Sequence, residues 1–193
     1  MNYALNPDLS KEEFIKVVLS GLTAPPAYFP SNVLMNIKGY ESIYKVLDKG
    51  LRPLNVEEFE TVATETHALV LDTRSAEDFS KGFIPDSINI ALDGSFAQWV
   101  GELITDIQQE ILLITYEGKE KEAITRLARV GYDHVIGYLS GGYEAWKDAG
   151  KRNEKISRMS AEEFALIYPG SPLVFDVRKK SEFESEHIIG AIN

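Results

Sequence analysis

Short aliphatic runs alternate with amphipathic stretches along this chain, and the alternation predicts an α/β fold with a mainly parallel sheet. Ala68 to Leu71, Ile88 to Ala91, Ile111 to Thr115 and Val135 to Tyr138 are β-branched or aliphatic and read as buried strands. Between and after them, Phe96 to Ile107, Lys119 to Val130 and Tyr143 to Lys147 carry helical patterns. Strands alternating with helices imply right-handed βαβ units and a sheet covered on both faces. Gly131 and Gly150 stand where helices should end, because glycine adopts φ > 0 most easily.

Helix starts are marked by capping boxes, in which a side-chain oxygen and a later carboxylate satisfy orphan backbone donors. Ser10 with Glu13 opens a helix whose apolar face is Phe14, Val17 and Val18. Asn55 with Glu58 opens another before Phe59, and Ser160 with Glu163 opens a third before Phe164. Ser75 followed by Asp78 is a weaker form of the same signal.

Two stretches read almost alike. Leu71-Asp72-Thr73-Arg74-Ser75-Ala76-Glu77-Asp78-Phe79 runs on to Ile88-Asn89, and Phe175-Asp176-Val177-Arg178-Lys179-Lys180-Ser181-Glu182-Phe183 runs on to Ile192-Asn193. A spacing of about one domain length indicates a tandem duplication rather than a solenoid. The expected organisation is an N-terminal helix and proline-rich strap over residues 1–38, a complete unit over 39–150, and a linker with the truncated opening of a second unit over 151–193. The opening should contain a helix near Ser160 to Tyr168, a strand near Leu173 to Val177 and a short terminal strand. It lacks the elements that would cover a parallel sheet on both faces, so its apolar residues should recruit a neighbouring domain or another copy of the chain. The strap, Ala24-Pro25-Pro26-Ala27-Tyr28-Phe29-Pro30-Ser31-Asn32, is expected to be extended and packed on a neighbouring domain, with a polyproline ligand for another protein as the rival.

Composition narrows the function. A length of 193 residues with 44% hydrophobic content allows one or two globular domains. A formal charge of -10 disfavours nucleic acid and anionic membranes as partners. No apolar run approaches the roughly 20 residues needed to span a bilayer, and Met1 to Asp8 lacks the features of a signal peptide, so a cytoplasmic location is expected. Zero cysteines excludes disulfides, thiolate metal sites and thiol chemistry. His67, His134 and His187 are scattered singly, so no metal and no cofactor are expected.

The motifs together resemble the rhodanese family, whose α/β module carries sulfane sulfur on a cysteine. The resemblance rests on Asp72-Thr73-Arg74, Glu77-Asp78-Phe79, Ile84-Pro85-Asp86-Ser87-Ile88-Asn89 and Leu139-Ser140-Gly141-Gly142-Tyr143-Glu144-Ala145-Trp146, in order between about Gly39 and Gly150. It implies a parallel five-stranded sheet with helices on both faces. Asp176 to Asn193 is similar to the family's opening motif alone. Pro25 to Tyr40 resembles the tail of metallo-β-lactamase-fold proteins related to persulfide dioxygenases, which implies a fusion with a metal-binding domain.

The family's cysteine sits where a central strand ends in a loop before a helix, and backbone N–H groups there stabilise a thiolate or persulfide. Matching Gly118 to the family's loop glycine puts Thr115 at the cysteine position and Glu120 at that of an assisting arginine, within the degenerate loop Thr115, Tyr116, Glu117, Gly118, Lys119, Glu120 and Lys121. A threonine hydroxyl cannot hold a transferable sulfur, and a carboxylate repels anionic substrates such as thiosulfate. Thr115 as a nucleophile would need an adjacent base. The reading is a non-catalytic sulfurtransferase-like module; the alternatives are a fragment of an enzyme whose active residues lie outside this chain, and a loop retained to bind a small anion or a protein carbonyl. The bland readings of other residues are a buried ion pair for Asp72 and Arg74, packing under the sheet for Tyr143 and Trp146, a tight turn for Gly141 and Gly142, and a turn-fixing role for His187.

Overall fold

A computed structural model describes residues 9–20, 28–170 and 172–193. The chain divides into two compact units, Met1–Lys155 and Ile156–Asn193. In the first, the elements run α1 (Lys11–Leu19), α2 (Phe29–Lys38), α3 (Ile43–Gly50), β1 (Pro53–Leu54), α4 (Val56–Thr66), β2 (Leu69–Asp72), α5 (Ala76–Lys81) and β3 (Ile88–Asn89). They continue with α6 (Phe96–Leu103), β4 (Ile111–Ile114), α7 (Glu120–Ala128), β5 (Val135–Leu139) and α8 (Gly142–Asp148). The strands form one sheet in the order β1-β5-β4-β2-β3, and every pair is parallel.

Alternation within the strands separates two cores, as a parallel sheet buried on both faces requires. Leu71, Ile111, Leu113 and Val135 face one side and pack with Val46 of α3, Phe96 and Val100 of α6, and Ile124 and Leu127 of α7. Val70, Leu112, Ile114 and Leu139 face the other and pack with Phe59 of α4 and with Tyr143 and Trp146 of α8. All four residues of β4 are wholly buried. Each such side chain contributes about 1.5–3 kcal/mol on burial, which makes β4 the rigid post from which the following loop projects.

The capping boxes at Ser10, Asn55 and Ser160 all form, and Ser75 accepts the Asp78 N–H. Other expectations need correction. The helix beginning at Phe96 ends at Leu103 rather than Ile107, because Asp106 turns the chain by accepting the Gln108 N–H at 2.9 Å and Tyr132 donates to the Ile104 carbonyl at 2.5 Å. Of the expected extended strap, Ala24 to Ala27 lie outside the described residues, and from Phe29 the chain is helical with Pro30 in the first turn, where its missing N–H costs nothing. Tyr28 packs on the first core of the sheet, against Gly101. Residues 151–155, expected as a linker, fold back on the sheet domain. Phe83 and Glu154 exchange backbone bonds at 2.8 and 2.9 Å, Trp146 Nε1 donates to the Arg152 carbonyl, and Lys151 pairs with Glu60 at 2.6 Å.

The second unit contains α9 (Ala161–Ile167), a 3-10 turn at Tyr168–Gly170 and α10 (Lys180–Ser185). The expected strands reduce to one parallel bridge between Phe175 and Ile192, because no further strand lies beside them among the described residues to extend the ladder. That bridge has the register of Leu71 with Ile88 in the first unit. Among the described residues, no helix is long and apolar enough to cross a membrane.

Candidate functional site

The loop after β4 begins at Thr115, which is 4% exposed and closes the strand. Its hydroxyl donates to the Tyr116 carbonyl at 3.0 Å. Among the described residues it bonds to no imidazole, amine or carboxylate that could act as a base. Gly118 turns the loop with φ +79°, a conformation that a side chain would strain. Gly142 approaches from the α8 turn, where a Cβ would lie 2.8 Å from the Thr115 carbonyl oxygen. Lys119 donates its N–H to the Tyr116 carbonyl at 3.0 Å and leads into α7.

Glu120 does something the sequence did not suggest. Its carboxylate bends back and accepts the Gly118 N–H at 3.2 Å. A carboxylate in the first turn also complements the positive end of a helix. Glu120 therefore acts as the loop's internal anion. Lys119 is neutralised by Glu122 at 2.8 Å, which raises the lysine's pKa and lowers the glutamate's. Glu117 and Lys121 are exposed.

Two long-range ties hold the loop's surroundings. The Tyr116 hydroxyl donates to Asp78 Oδ2 at 2.6 Å, lies 3.2 Å from Ser75 Oγ, and accepts the Ser75 N–H at 3.1 Å. That bond is the main reason the Asp78 carboxyl lies below its ordinary value, with Lys81 adding to it. Arg126 donates to the carbonyls of Leu92 and Gly94 and lies over the Phe96 ring. Tyr116, Ser75, Asp78 and Arg126 form this frame, and their pairings carry no local sequence signal.

Asp72 and Arg74 form the expected buried pair at the end of β2, 0% and 6% exposed. Arg74 Nε donates to both carboxylate oxygens at 3.0 Å and Nη2 to Oδ2 at 2.6 Å; Nη2 also reaches the Gly82 carbonyl at 2.8 Å. The guanidinium lies 4.2 Å from the centre of the Tyr143 ring. Asn89 Nδ2 donates to the Asp72 and Arg74 carbonyls at 3.0 and 2.9 Å. With these partners the arginine is fixed in the structure.

The second unit builds the same knot by itself. Arg178 holds Asp176 through Nε at 3.0 and 3.1 Å and Nη2 at 2.6 Å, and also reaches the Glu186 carbonyl at 2.7 Å. Asn193 Nδ2 donates to the Asp176 and Arg178 carbonyls, both at 2.9 Å. The Arg178 side-chain and backbone bonds hold the Asp176 carboxyl at about 2. His187 stacks on Phe183 with ring centres 4.0 Å apart, as Phe83 does on Phe79 at 4.3 Å. His187 also bonds the Phe183 carbonyl through Nδ1, which accounts for its turn-fixing role.

A family model described as the rhodanese-like domain matches residues 55–149. Residues 55–149 form a rhodanese-like domain. The sheet of the first unit and the helices on both its faces have the fold of that family. Protein HIGH ARSENIC CONTENT 1, mitochondrial, of Arabidopsis thaliana is 29% identical over 54% of this chain and 71% of its own length. Thiosulfate sulfurtransferase GlpE of Pseudomonas savastanoi is 27% identical over 43% of this chain and 76% of its own. A crystal structure of a metallo-beta-lactamase from Staphylococcus aureus is 30% identical with a TM-score of 0.55, over 67% of this chain and 35% of that one. This chain thus spans about a third of the Staphylococcus protein. The rhodanese-like domain is related to sulfurtransferases, yet it contains no cysteine at the end of β4 or elsewhere. Among the described residues, no group of His, Cys, Asp and Glu is arranged to hold a metal ion.

Proposed function

We propose that this chain is a non-catalytic rhodanese-like module of a sulfur-handling multidomain protein. The observation that carries the reading is Thr115, a buried hydroxyl at the position of the family's thiol, whose proton is directed at the Tyr116 carbonyl. Glu120, taking the Gly118 N–H, supports it. The likeness to the Staphylococcus metallo-beta-lactamase supports a setting in which a metal-dependent hydrolase or persulfide dioxygenase domain belongs to the same polypeptide. In that setting Asp176 to Asn193 is the second copy of a tandem duplication, and active residues lie outside residues 1–193. The protein would work in the cytoplasm, bound neither to nucleic acid nor to membrane. Thiosulfate and cyanide should yield no thiocyanate above a heat-killed control; a reproducible excess would overturn the proposal.

The partner of the second unit is a neighbouring domain or another copy of the chain. Val177 and Ile189 are 95% and 85% exposed there, with Leu173 and Phe175 also open. In the first unit, Leu71 has the register of Phe175 and is wholly buried under β4 and its helices. Truncation after Lys155, which keeps the folded-back segment, is expected to reduce self-association while the first unit melts as before. Unchanged elution in size-exclusion chromatography would count against this partner.

A further inference from the structure

The turn from β3 into α6 carries the one Asp–Gly pair of the chain, Asp93-Gly94, and no Asn–Gly pair occurs. Asp93, Gly94 and Ser95 are exposed, between Leu92 and Phe96, which are buried. Among the described residues, neither the Asp93 carboxyl nor the Gly94 N–H has a hydrogen-bond partner. Gly94 has φ +69°, and a Cβ there would meet nothing within 4 Å, so no side chain shields the nitrogen. Asp86 and Asp106, also exposed in loops, lack this combination. The Ser87 N–H that follows Asp86 is engaged by the Ile84 carbonyl at 3.2 Å, and the Asp106 carboxyl accepts the Gln108 N–H at 2.9 Å.

An unengaged carboxyl next to an unengaged, unshielded peptide nitrogen is set for ring closure. We infer that Asp93-Gly94 is a site of aspartate isomerisation. The Gly94 nitrogen attacks the carboxyl carbon of Asp93 in its acid form; the new N–C bond closes a succinimide, and the hydroxyl leaves with the amide proton as water. Water then opens the ring at either carbonyl. Opening at the backbone carbonyl gives isoaspartate, in which the chain runs through the side-chain methylene. The change reaches beyond the turn. Arg126 of α7 donates to the carbonyls of Leu92 and Gly94, one on each side of Asp93, and Lys119 at the start of α7 lies within electrostatic reach of Asp93. An extra backbone atom between those two carbonyls draws one of them off Arg126 and loosens the turn from α7.

The test is storage of the full chain for weeks in warm, mildly acidic buffer, followed by electron-transfer fragmentation of the tryptic peptide 82–119, which holds Asp86, Asp93 and Asp106. Isoaspartate should accumulate at position 93 and not at the other two, preceded by a species lighter by one water. An isoaspartate methyltransferase should label the stored chain and not the fresh one. Asp93→Glu, which would have to close a larger ring, should abolish the label. Asp93→Asn should reach isoaspartate faster, with loss of ammonia in place of water. An unchanged residue 93, isoaspartate to the same extent at Asp86 or Asp106, or labelling that survives Asp93→Glu would each overturn the inference.

Discussion

Thr115→Cys alone is expected to give little thiosulfate sulfurtransferase activity, and Thr115→Cys with Glu120→Arg distinctly more. The single change supplies a thiol at the end of β4, in a space now filled by a side chain of similar volume. It leaves the Glu120 carboxylate on the Gly118 N–H, so that donor and the loop's negative charge stay as they are. Two like charges a few ångströms apart at a partly exposed site interact by up to a few kcal/mol, and 1.4 kcal/mol of that is tenfold in rate. The double change removes the repulsion, frees the Gly118 N–H and adds a cation at the first turn of α7. An advantage of about tenfold or more over the single variant is expected. Equal activity of the two variants would show that Glu120 does not control the loop.

The largest stability effect is expected at Arg74. Arg74→Ala leaves the Asp72 carboxylate wholly buried with only the Arg74 backbone N–H as a donor, and it removes the bond to the Gly82 carbonyl. Breaking a buried pair on one side costs about 3–5 kcal/mol, because the remaining charge is uncompensated. For a unit of this size each kcal/mol lowers the melting temperature by about 2–4 °C. Arg178→Ala removes the same set of bonds in the second unit, but the Arg178 side chain is 47% exposed and water replaces it. The first substitution should therefore lower the main unfolding transition by far more than the second. A loss below about 1 kcal/mol at Arg74 would place the pair with ordinary surface bridges.

Local signals carried most of the fold. Aliphatic runs located β2, β4 and β5, since a strand buried on both faces needs apolar residues at successive positions. Capping boxes located α4 and α9, because the Asn55–Glu58 and Ser160–Glu163 bonds close within one turn. The Asp72–Arg74 pair was legible for the same reason, being two residues apart. What the sequence hid depends on tertiary approach. Tyr116 meets Asp78 and Ser75 across 38 and 41 residues, with nothing local to announce it. β1 is two residues long and begins with a proline, which a sheet tolerates at its edge but which gives no strand pattern. The prolines near Phe29 suggest an extended strap, but proline is equally at home in a first helical turn, which is where Pro30 lies. Charge alone marks Glu120 as repulsive, whereas its bend toward Gly118 depends on the loop's path.

The β4 loop is expected to carry no sulfur, and intact-mass spectrometry tests this most directly. The full chain would be incubated with thiosulfate, and separately with glutathione persulfide, then measured under non-reducing conditions. Unmodified protein is expected to keep its mass in both, while the Thr115→Cys, Glu120→Arg variant gains one sulfur atom that a thiol reductant removes. A reductant-labile gain of one sulfur atom on the unmodified chain would contradict the account.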